Sequence, residues 1–472
     1  MQKNVETELK LLISKRNLKK LLASDWLQQA VRDGSERQRH LVSSYYDTAD
    51  WALKRNGIAY RVRDKGDGGY EATVKTTKSN AGGLSERLEL NMPLQDANPV
   101  LNGFGALGLG YELTDLAPEG VEKLFTVDVM RTTYLLDFGG AVVELAVDNG
   151  KLTAGKKHTA IEEIELELKE GELSQLLELA SRIADTVPVF AEKRSKFARG
   201  LALVGQKSDE RTAKAKISGD GNIRQQVLNI VLQRGGALLE LQNALNKMSA
   251  FQIDSETGKR LTKNLQYLKT MISFGSVFAP SPKAEQADAI VSAWLAALAE
   301  LDNIDWLEKL WAKISEASES DLSKSVLLEK AAEVKAQQLE SLRSFAADGN
   351  LTQVVYAAAS WLASDQWQNE EYLQPLSTVR CRLQDWQEEL ETASDDAAKI
   401  ALLDKILRLG KCVEDKSFAR LLKAVKAARS VLQSDLRRKK LQQLTDNINK
   451  MGKSRALSRE AGIVNGWLLA NK

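Results

Sequence analysis

Glu6-Thr7-Glu8-Leu9-Lys10 carries a charged side chain at every second position. Residues two apart share one face of a β-strand. The stretch therefore presents two carboxylates and an ammonium to one side, and Val5, Leu9 and Leu11 to the other. The alternation returns in Arg61-Val62-Arg63, Thr73-Val74-Lys75 and Glu163-Ile164-Glu165-Leu166-Glu167, whose opposite faces carry Val62, Val74 and Ile164, Leu166 and Leu168. Acids gather on the first and last of these strands and bases on the others. Strands so built can enclose a cavity lined with metal-binding carboxylates and phosphate-binding cations, the equipment for metal-assisted chemistry on a polyanion.

A half-exposed strand with one solvated face accounts for any single segment, but less well for the set. Glu163, Glu165 and Glu167 project together, and like charges so placed repel unless a cation compensates. Divalent metal is a natural compensation, because Mg²⁺ prefers carboxylate oxygen and is commonly shared with a substrate phosphate. Burying such a face costs several kcal/mol per ion without partners. Arg87 and Glu89 share a further face, as do Arg131 and Thr133, and Glu144 and Asp148. Ser195-Lys196, with Lys193 nearby, opens a helical segment whose hydroxyl and amides offer phosphate contacts.

A chain of 472 residues fits two or three domains. Apolar content of 43% and charged content of 28% describe a globular protein with ample core. A net charge of +2 argues against bulk affinity for nucleic acid or anionic membrane. Cys381 and Cys412 make no disulfide framework, so a reducing cytoplasm is expected. The opening MQKNVETELK lacks an apolar signal core, and no apolar run is long enough to span a bilayer.

The pattern changes near residue 205. Before it, short alternating runs are punctuated by Lys65-Gly66-Asp67-Gly68-Gly69, Ala81-Gly82-Gly83, Phe138-Gly139-Gly140 and Asp148-Asn149-Gly150, which read as hairpin turns. Strands are expected near 3–13, 38–47, 57–65, 69–78, 84–94, 122–137, 141–148 and 158–168. Helices are expected near 15–30, 48–55 (with Thr48 as N-cap), 172–185 and 192–203. Residues 205–221 read as a lysine-rich linker. From 222 to 472 the periodicity is helical, as in Leu261, Leu265, Leu268 and Ile272, with Pro280 and Pro282 separating two helices. Trp294, Trp306, Trp311, Trp361, Trp367, Trp386 and Trp467 supply packing surface to this all-α bundle.

Several chemistries are excluded. The chain has no P-loop. His40 and His158 are its only histidines, and no Ser-His-Asp, HExxH or CxxC arrangement can be assembled. Gly103-Phe104-Gly105 lacks the spacing of a dinucleotide loop. Carboxylate and metal must carry any hydrolysis.

The charged segments resemble the ExExK signature of the CYTH superfamily, whose members form the triphosphate tunnel metalloenzyme fold. The resemblance runs in order through Tyr45-Tyr46-Asp47-Thr48, Tyr60 to Arg63, Ala72 to Lys75, Glu86 to Glu89, Phe125 to Arg131, Glu144 to Gly150, Glu163 to Leu168 and Ser195 to Gly200. It implies an α+β N-terminal domain over 1–204, an eight-stranded antiparallel β-barrel tunnel with flanking helices. The remainder, 222–472, is similar to a CHAD domain, the helical partner associated with polyphosphate. It has no histidine, and its basic residues near the usual signature are Lys259-Arg260, Lys263 and Lys269.

The resemblance further implies an inorganic triphosphatase that cleaves tripolyphosphate to pyrophosphate and phosphate. Glu6, Glu8, Glu165 and Glu167, with Asp148, would bind Mg²⁺ or Mn²⁺. Glu6, Glu8, Lys10, Glu163, Glu165 and Glu167 would be catalytic. Lys10, Arg61, Arg63, Lys75, Arg87, Arg131, Ser195 and Lys196 would hold phosphate. Nucleoside or thiamine triphosphate hydrolysis, adenylyl cyclase activity and non-catalytic polyphosphate binding are the other readings of the same pattern. No nucleic-acid or membrane partner is expected.

Overall fold

The computed structural model describes residues 5–207, 214–248, 252–317, 325–364, 374–451 and 454–470. The chain forms two compact units: Met1–Lys214 with Gly235–Asn243 and Asp348–Ser364, and Ala215–Arg234 with Ala244–Ala347 and Asp365–Lys472.

The first unit is built on β1 (Val5–Leu12), β2 (Arg37–Asp47), β3 (Ile58–Asp64), β4 (Tyr70–Ala81), β5 (Leu84–Leu94), β6 (Glu122–Phe138), β7 (Ala141–Ala154) and β8 (Lys157–Glu170). They lie in the order β5-β4-β3-β2-β6-β7-β8-β1, and antiparallel pairing of β1 with β5 closes them into an eight-stranded barrel. A short β9 (Phe190–Ala191) adds to β1 at Leu11 and Leu12. In the closed barrel the charged faces turn to a common lumen and the apolar faces are covered from outside. Leu9, Leu11, Val143, Leu145, Ile164 and Leu166 are buried, each such side chain stabilising by about 1.5–3 kcal/mol. Tyr60, Val62, Val74 and Leu90 pack with Phe104 and Leu113 from the β5–β6 connection.

The helices of the N-terminal half are α1 (Lys15–Leu22), α2 (Asp25–Ala30), α3 (Ala52–Arg55), α4 (Leu173–Thr186) and α5 (Lys196–Leu203). A capping box of Glu172 and Gln175 starts α4, which buries Leu176, Leu177, Ala180 and Ile183. After them come α6 (Ile223–Asn246), α7 (Ser255–Gly275), α8 (Pro282–Ala317), α9 (Val326–Ala347) and α10 (Asn350–Ala363). The last are α11 (Pro375–Thr392), α12 (Asp396–Cys412), α13 (Phe418–Met451) and α14 (Arg455–Ala470). Residues of α10 belong to the first unit.

Three local expectations are corrected. Asn149-Gly150 is not a turn: β7 continues to Ala154, with Gly150 paired to Val129 and Ile161. A Cβ on Gly150 would lie 2.1 Å from the Asp128 carbonyl oxygen, so this glycine serves a close approach of β6 rather than a bend. The helix expected from 48 begins only at Ala52, because Trp51 sits in the left-handed region (φ 64°). Thr48 Oγ1 still accepts from the Ala52 amide, while the Asp47 carboxylate accepts from Leu53 and Lys54. The segment 15–30 breaks into α1 and α2, where the Ser24 hydroxyl donates to Leu21 O.

In the second unit, the α7 stripe of Leu261, Leu265, Leu268 and Ile272 is buried, and α8 opens on Pro282. Ile304, Leu307, Trp311, Leu327, Leu441, Leu457 and Val464 share one cluster, with Trp306 and Trp467 partly buried against it. Trp294 and Trp386 are fully enclosed, whereas Trp361 is buried in the first unit. Trp367 lies outside the described residues, as do residues 208–213 of the expected linker. Ile217, further along that segment, is buried and bridges Val413. No helix among the described residues is long and apolar enough to cross a membrane.

Candidate active site

The closed sheet brings the alternating charges into one lumen. On β1, Glu6 stands opposite Arg87 of β5, Glu8 opposite Glu167 of β8, and Lys10 opposite Glu165. Asp148 of β7 stands between Arg131 of β6 and Glu163 of β8. Arg61 and Arg63 of β3 lie opposite Tyr45 and Ser43 of β2, and Lys75 of β4 opposite Glu89 of β5.

One end of the lumen is electrically matched. The oxygens of Asp148, Glu163 and Glu165 lie within 4.8 Å of one another. Lys196 Nζ sits among them, 2.6 Å from Asp148, 2.6 Å from Glu163 and 2.9 Å from Glu165. Arg131 grips Asp148 with two hydrogen bonds (2.7 and 2.6 Å) and also bonds Glu165. Arg199 pairs with Glu163. Burial would raise the Asp148 carboxyl, but Arg131 and Lys196 hold it down to about 2. Burial opposes ionisation of Glu165 too, and Lys196, Lys10 and Arg131 drive it well below the carboxylate range.

Lys10 is the link, pairing with Glu8 and lying 3.5 Å from Glu165. Glu8 also approaches Arg87 (3.3 Å) and accepts from Ser85 Oγ (3.1 Å). Burial opposes its ionisation, yet Lys10, Lys75 and Arg87 hold it down to about 2.

Glu89, though buried, is driven well below the carboxylate range by Lys75 and Arg61; Glu6 and Glu167 are not matched in this way. Lys75 Nζ is shared between Glu6 and Glu89, at 2.6 Å from each. Burial, reinforced by Glu8 and Glu89, outweighs Lys75 and raises Glu6 to about 7. Glu167 is partly exposed and paired with Lys169 at 2.6 Å. Burial raises its pKa above the ordinary value, and Glu144 adds to the rise.

One cation, Arg63, is unmatched too, whereas Arg61 lies 3.6 Å from Glu89. Arg63 Nε donates to Ser43 Oγ (2.9 Å), and among the described residues no carboxylate lies within ion-pair distance of it. Burial and the neighbouring Arg61 and Arg131 pull Arg63 down to about 9. The Nε atoms of Arg61 and Arg87 are buried without a hydrogen-bond partner. Burial raises the Tyr45 hydroxyl, but Arg61 and Arg63 lower it more, a sign of excess positive potential.

Residues 4–201 match the CYTH domain model. They form a CYTH domain. An inorganic triphosphatase of Haemophilus influenzae is 31% identical over 163 residues, 34% of this chain and 46% of that protein. The chain thus spans about half the length of that curated relative. A Hippeastrum protein described as an adenylyl cyclase with a dominant triphosphatase activity is a structural neighbour at 20% identity and a TM-score of 0.30, covering 43% of this chain and 96% of its own. The CHAD domain of Ricinus communis is another, at 17% identity and a TM-score of 0.39, covering 55% of this chain and 91% of its own.

Within the CYTH domain, Asp148 and Glu165 of the expected metal set meet Glu163, whereas Glu6, Glu8 and Glu167 stand apart from that trio. Ser195 caps α5 by accepting from the Ala198 amide (3.0 Å). Both histidines are exposed. Glu89 and Arg199 had no assigned role, although Glu89 alternates with Arg87 and Arg199 lies one turn from Lys196. Ser43 and Ser85 carry no sequence signal of their own.

Proposed function

We propose that the CYTH lumen hydrolyses inorganic triphosphate to pyrophosphate and phosphate with the aid of a divalent cation. The supporting observation is the juxtaposition of Arg63, which has no carboxylate within ion-pair distance among the described residues, and the unbonded Nε atoms of Arg61 and Arg87 with Glu6 and Glu167, whose carboxyls burial holds above the ordinary range. A triphosphate supplies the missing anion and a metal ion the missing positive charge.

The donor set fits the ion, since every candidate is a carboxylate oxygen. The trio of Asp148, Glu163 and Glu165 is the tightest acidic group, but Lys196, Arg131 and Arg199 already neutralise it. Glu6 and Glu167, with Glu8 on the strand face between Arg87 and Lys10, are where added positive charge relieves strain. On this reading they hold the ion, with Glu165 across Lys10 as a further candidate. When bound, Mg²⁺ or Mn²⁺ polarises the terminal phosphoryl group and acidifies water.

Arg61, Arg63, Arg87, Lys10 and Lys75 bind phosphate oxygens, each charged hydrogen bond contributing about 1.5–3 kcal/mol. Lys196 and Arg131 keep the acidic end rigid. Water attacks the terminal phosphorus, a new P–O bond forms, the bridging P–O bond breaks and pyrophosphate leaves. The proton passes to a lumen carboxylate, because neither histidine faces the lumen. Positioning and charge stabilisation supply most of the acceleration in such a transfer.

The test is phosphate release from tripolyphosphate, ATP and thiamine triphosphate with Mg²⁺, with Mn²⁺ and with EDTA. Release from tripolyphosphate that EDTA abolishes supports the reading. Tight metal-independent binding without release replaces it with a polyphosphate binder.

A further inference from the structure

Tyr356 of α10 is fully buried, and its hydroxyl donates to the Gly82 carbonyl at 2.6 Å. Gly82 and Gly83 are the two-residue turn between β4 and β5, with φ of 63° and 86°. Positive φ at both positions matches the twist of a tight hairpin. The Gly83 carbonyl accepts from the Lys10 amide (3.3 Å), and the Lys10 carbonyl accepts from the Glu192 amide (3.0 Å). A Cβ on Gly83 would lie 3.0 Å from the Tyr356 hydroxyl, 3.2 Å from Ala191 Cβ and 3.4 Å from Lys10 O. Tyrosine, turn and the Lys10 backbone are thus packed without spare room. The Lys10 side chain, on the lumen side of that backbone, joins Glu8 to Glu165.

The helix bearing Tyr356 is itself fixed within the first unit. Ser360 Oγ bonds Ser174 O and Glu178 Oε2 of α4, both at 3.0 Å, and Gln353 Nε2 donates to Asp185 Oδ1 (2.8 Å). Burial raises the Tyr356 pKa, so the hydroxyl remains protonated and a donor.

We propose that Tyr356 is a positioning residue for Lys10, and that α10, encoded among the C-terminal helices, is a working part of the phosphate lumen. This deepens the proposed function and rests on it for the identity of the substrate. Without the hydroxyl, the buried Gly82 carbonyl loses that donor, and the turn that holds the Lys10 amide loosens. Lys10 then spends less time between Glu8 and Glu165, in the geometry that meets phosphate.

The test uses the full chain and Tyr356→Phe, which keeps the ring and its packing. Hydrogen exchange should accelerate about tenfold or more at β1 and at the β4–β5 turn, with β6–β7 unchanged. KM for tripolyphosphate with Mg²⁺ should rise about 5- to 10-fold while kcat stays within about 2-fold. In a Lys10→Gln background the same substitution should add no further rise, the signature of a shared effect. Uniform acceleration of exchange, no acceleration, or an additive double variant overturns the proposal. If the unmodified chain neither binds nor hydrolyses tripolyphosphate, the substrate assignment falls. The exchange pattern then decides the coupling: acceleration confined to β1 and the turn upholds it, and any other pattern overturns it.

Discussion

Lys196 Nζ lies 2.6 Å from Asp148 Oδ2, although one residue opens a helix and the other sits in mid-strand. The contact pins α5 to the barrel and neutralises the most acidic part of the lumen. Removing one partner of a buried ion pair leaves the other uncompensated, at a cost of about 3–5 kcal/mol.

Lys196→Met should therefore lower the stability of the chain by up to about that amount, by removing the ammonium shared by Asp148, Glu163 and Glu165, which keep Arg131, Arg199 and Lys10. A urea denaturation midpoint equal to that of the unmodified chain would show that the trio does not depend on this ammonium.

Arg63→Gln should behave in the opposite way. Among the described residues Arg63 has no carboxylate within ion-pair distance, and it is crowded by Arg61 and Arg131, so its loss should leave stability unchanged or slightly raised. Affinity for tripolyphosphate should fall by about 1.5–3 kcal/mol, the value of a charged hydrogen bond. Calorimetry with tripolyphosphate, beside a thermal melt, reads both. A large fall in melting temperature with unaltered affinity would remove Arg63 from the phosphate site.

The Glu6 carboxyl links metal, proton and fold. Burial pushes its pKa in the folded chain up to about 7, above the ordinary carboxylate value of 4.5, so the folded metal-free chain holds an extra proton between those values. That contribution to stability is complete below pH 4.5 and is lost as pH rises through 7. In EDTA, the stability read from urea denaturation should fall between about pH 5 and 7, by at most about 3 kcal/mol, and Glu6→Gln should flatten the slope. Metal affinity should rise over the same interval because binding expels the proton. Slopes that coincide in the two proteins would refute this role. Glu8 and Asp148, held near 2, act in a lower window: their contribution is present above about pH 4 and is lost as pH falls towards 2.

Glu6→Gln should also lower Mg²⁺-supported phosphate release by about 10²-fold or more, the scale for losing one electrostatic stabiliser. Circular dichroism at pH 7 should match that of the unmodified chain, since Glu6 is half protonated there. Undiminished release would exclude Glu6 from the metal set.

Gly150→Ala tests why an Asn-Gly pair lies within β7. The new methyl group would meet the Asp128 carbonyl, and overpacking of this kind costs about 1–3 kcal/mol. An unaffected melting temperature would show that β6 can move aside.

Much of the lumen was legible because alternation is a local property. Glu6, Glu8 and Lys10 must share a face wherever the strand lies, and so must Glu163, Glu165 and Glu167. Which face would line the interior was not local: the closed barrel was implied by the CYTH resemblance, and the pairing of β1 with β5 closes it. Turn chemistry was less secure. Gly82-Gly83 is a hairpin turn, whereas Asn149-Gly150 is not, because a neighbouring backbone rather than a bend claims the missing side chain. Ser195, expected at phosphate, also caps its own helix by accepting from the Ala198 amide.

The periodicity of the chain, taken alone, determined which residues would be strands, which face of each would be charged, and that the second half would be helical. Only the tertiary structure decided which charges cancel. Lys196 and Arg131 reach the acids on β7 and β8 from other elements, leaving Glu6 to share Lys75 with Glu89 and Arg63 without a carboxylate partner among the described residues, and Tyr356 comes from far along the chain to hold the turn beneath Lys10. Compensation depends on distances of a few ångströms between segments remote in sequence, and no local pattern encodes them.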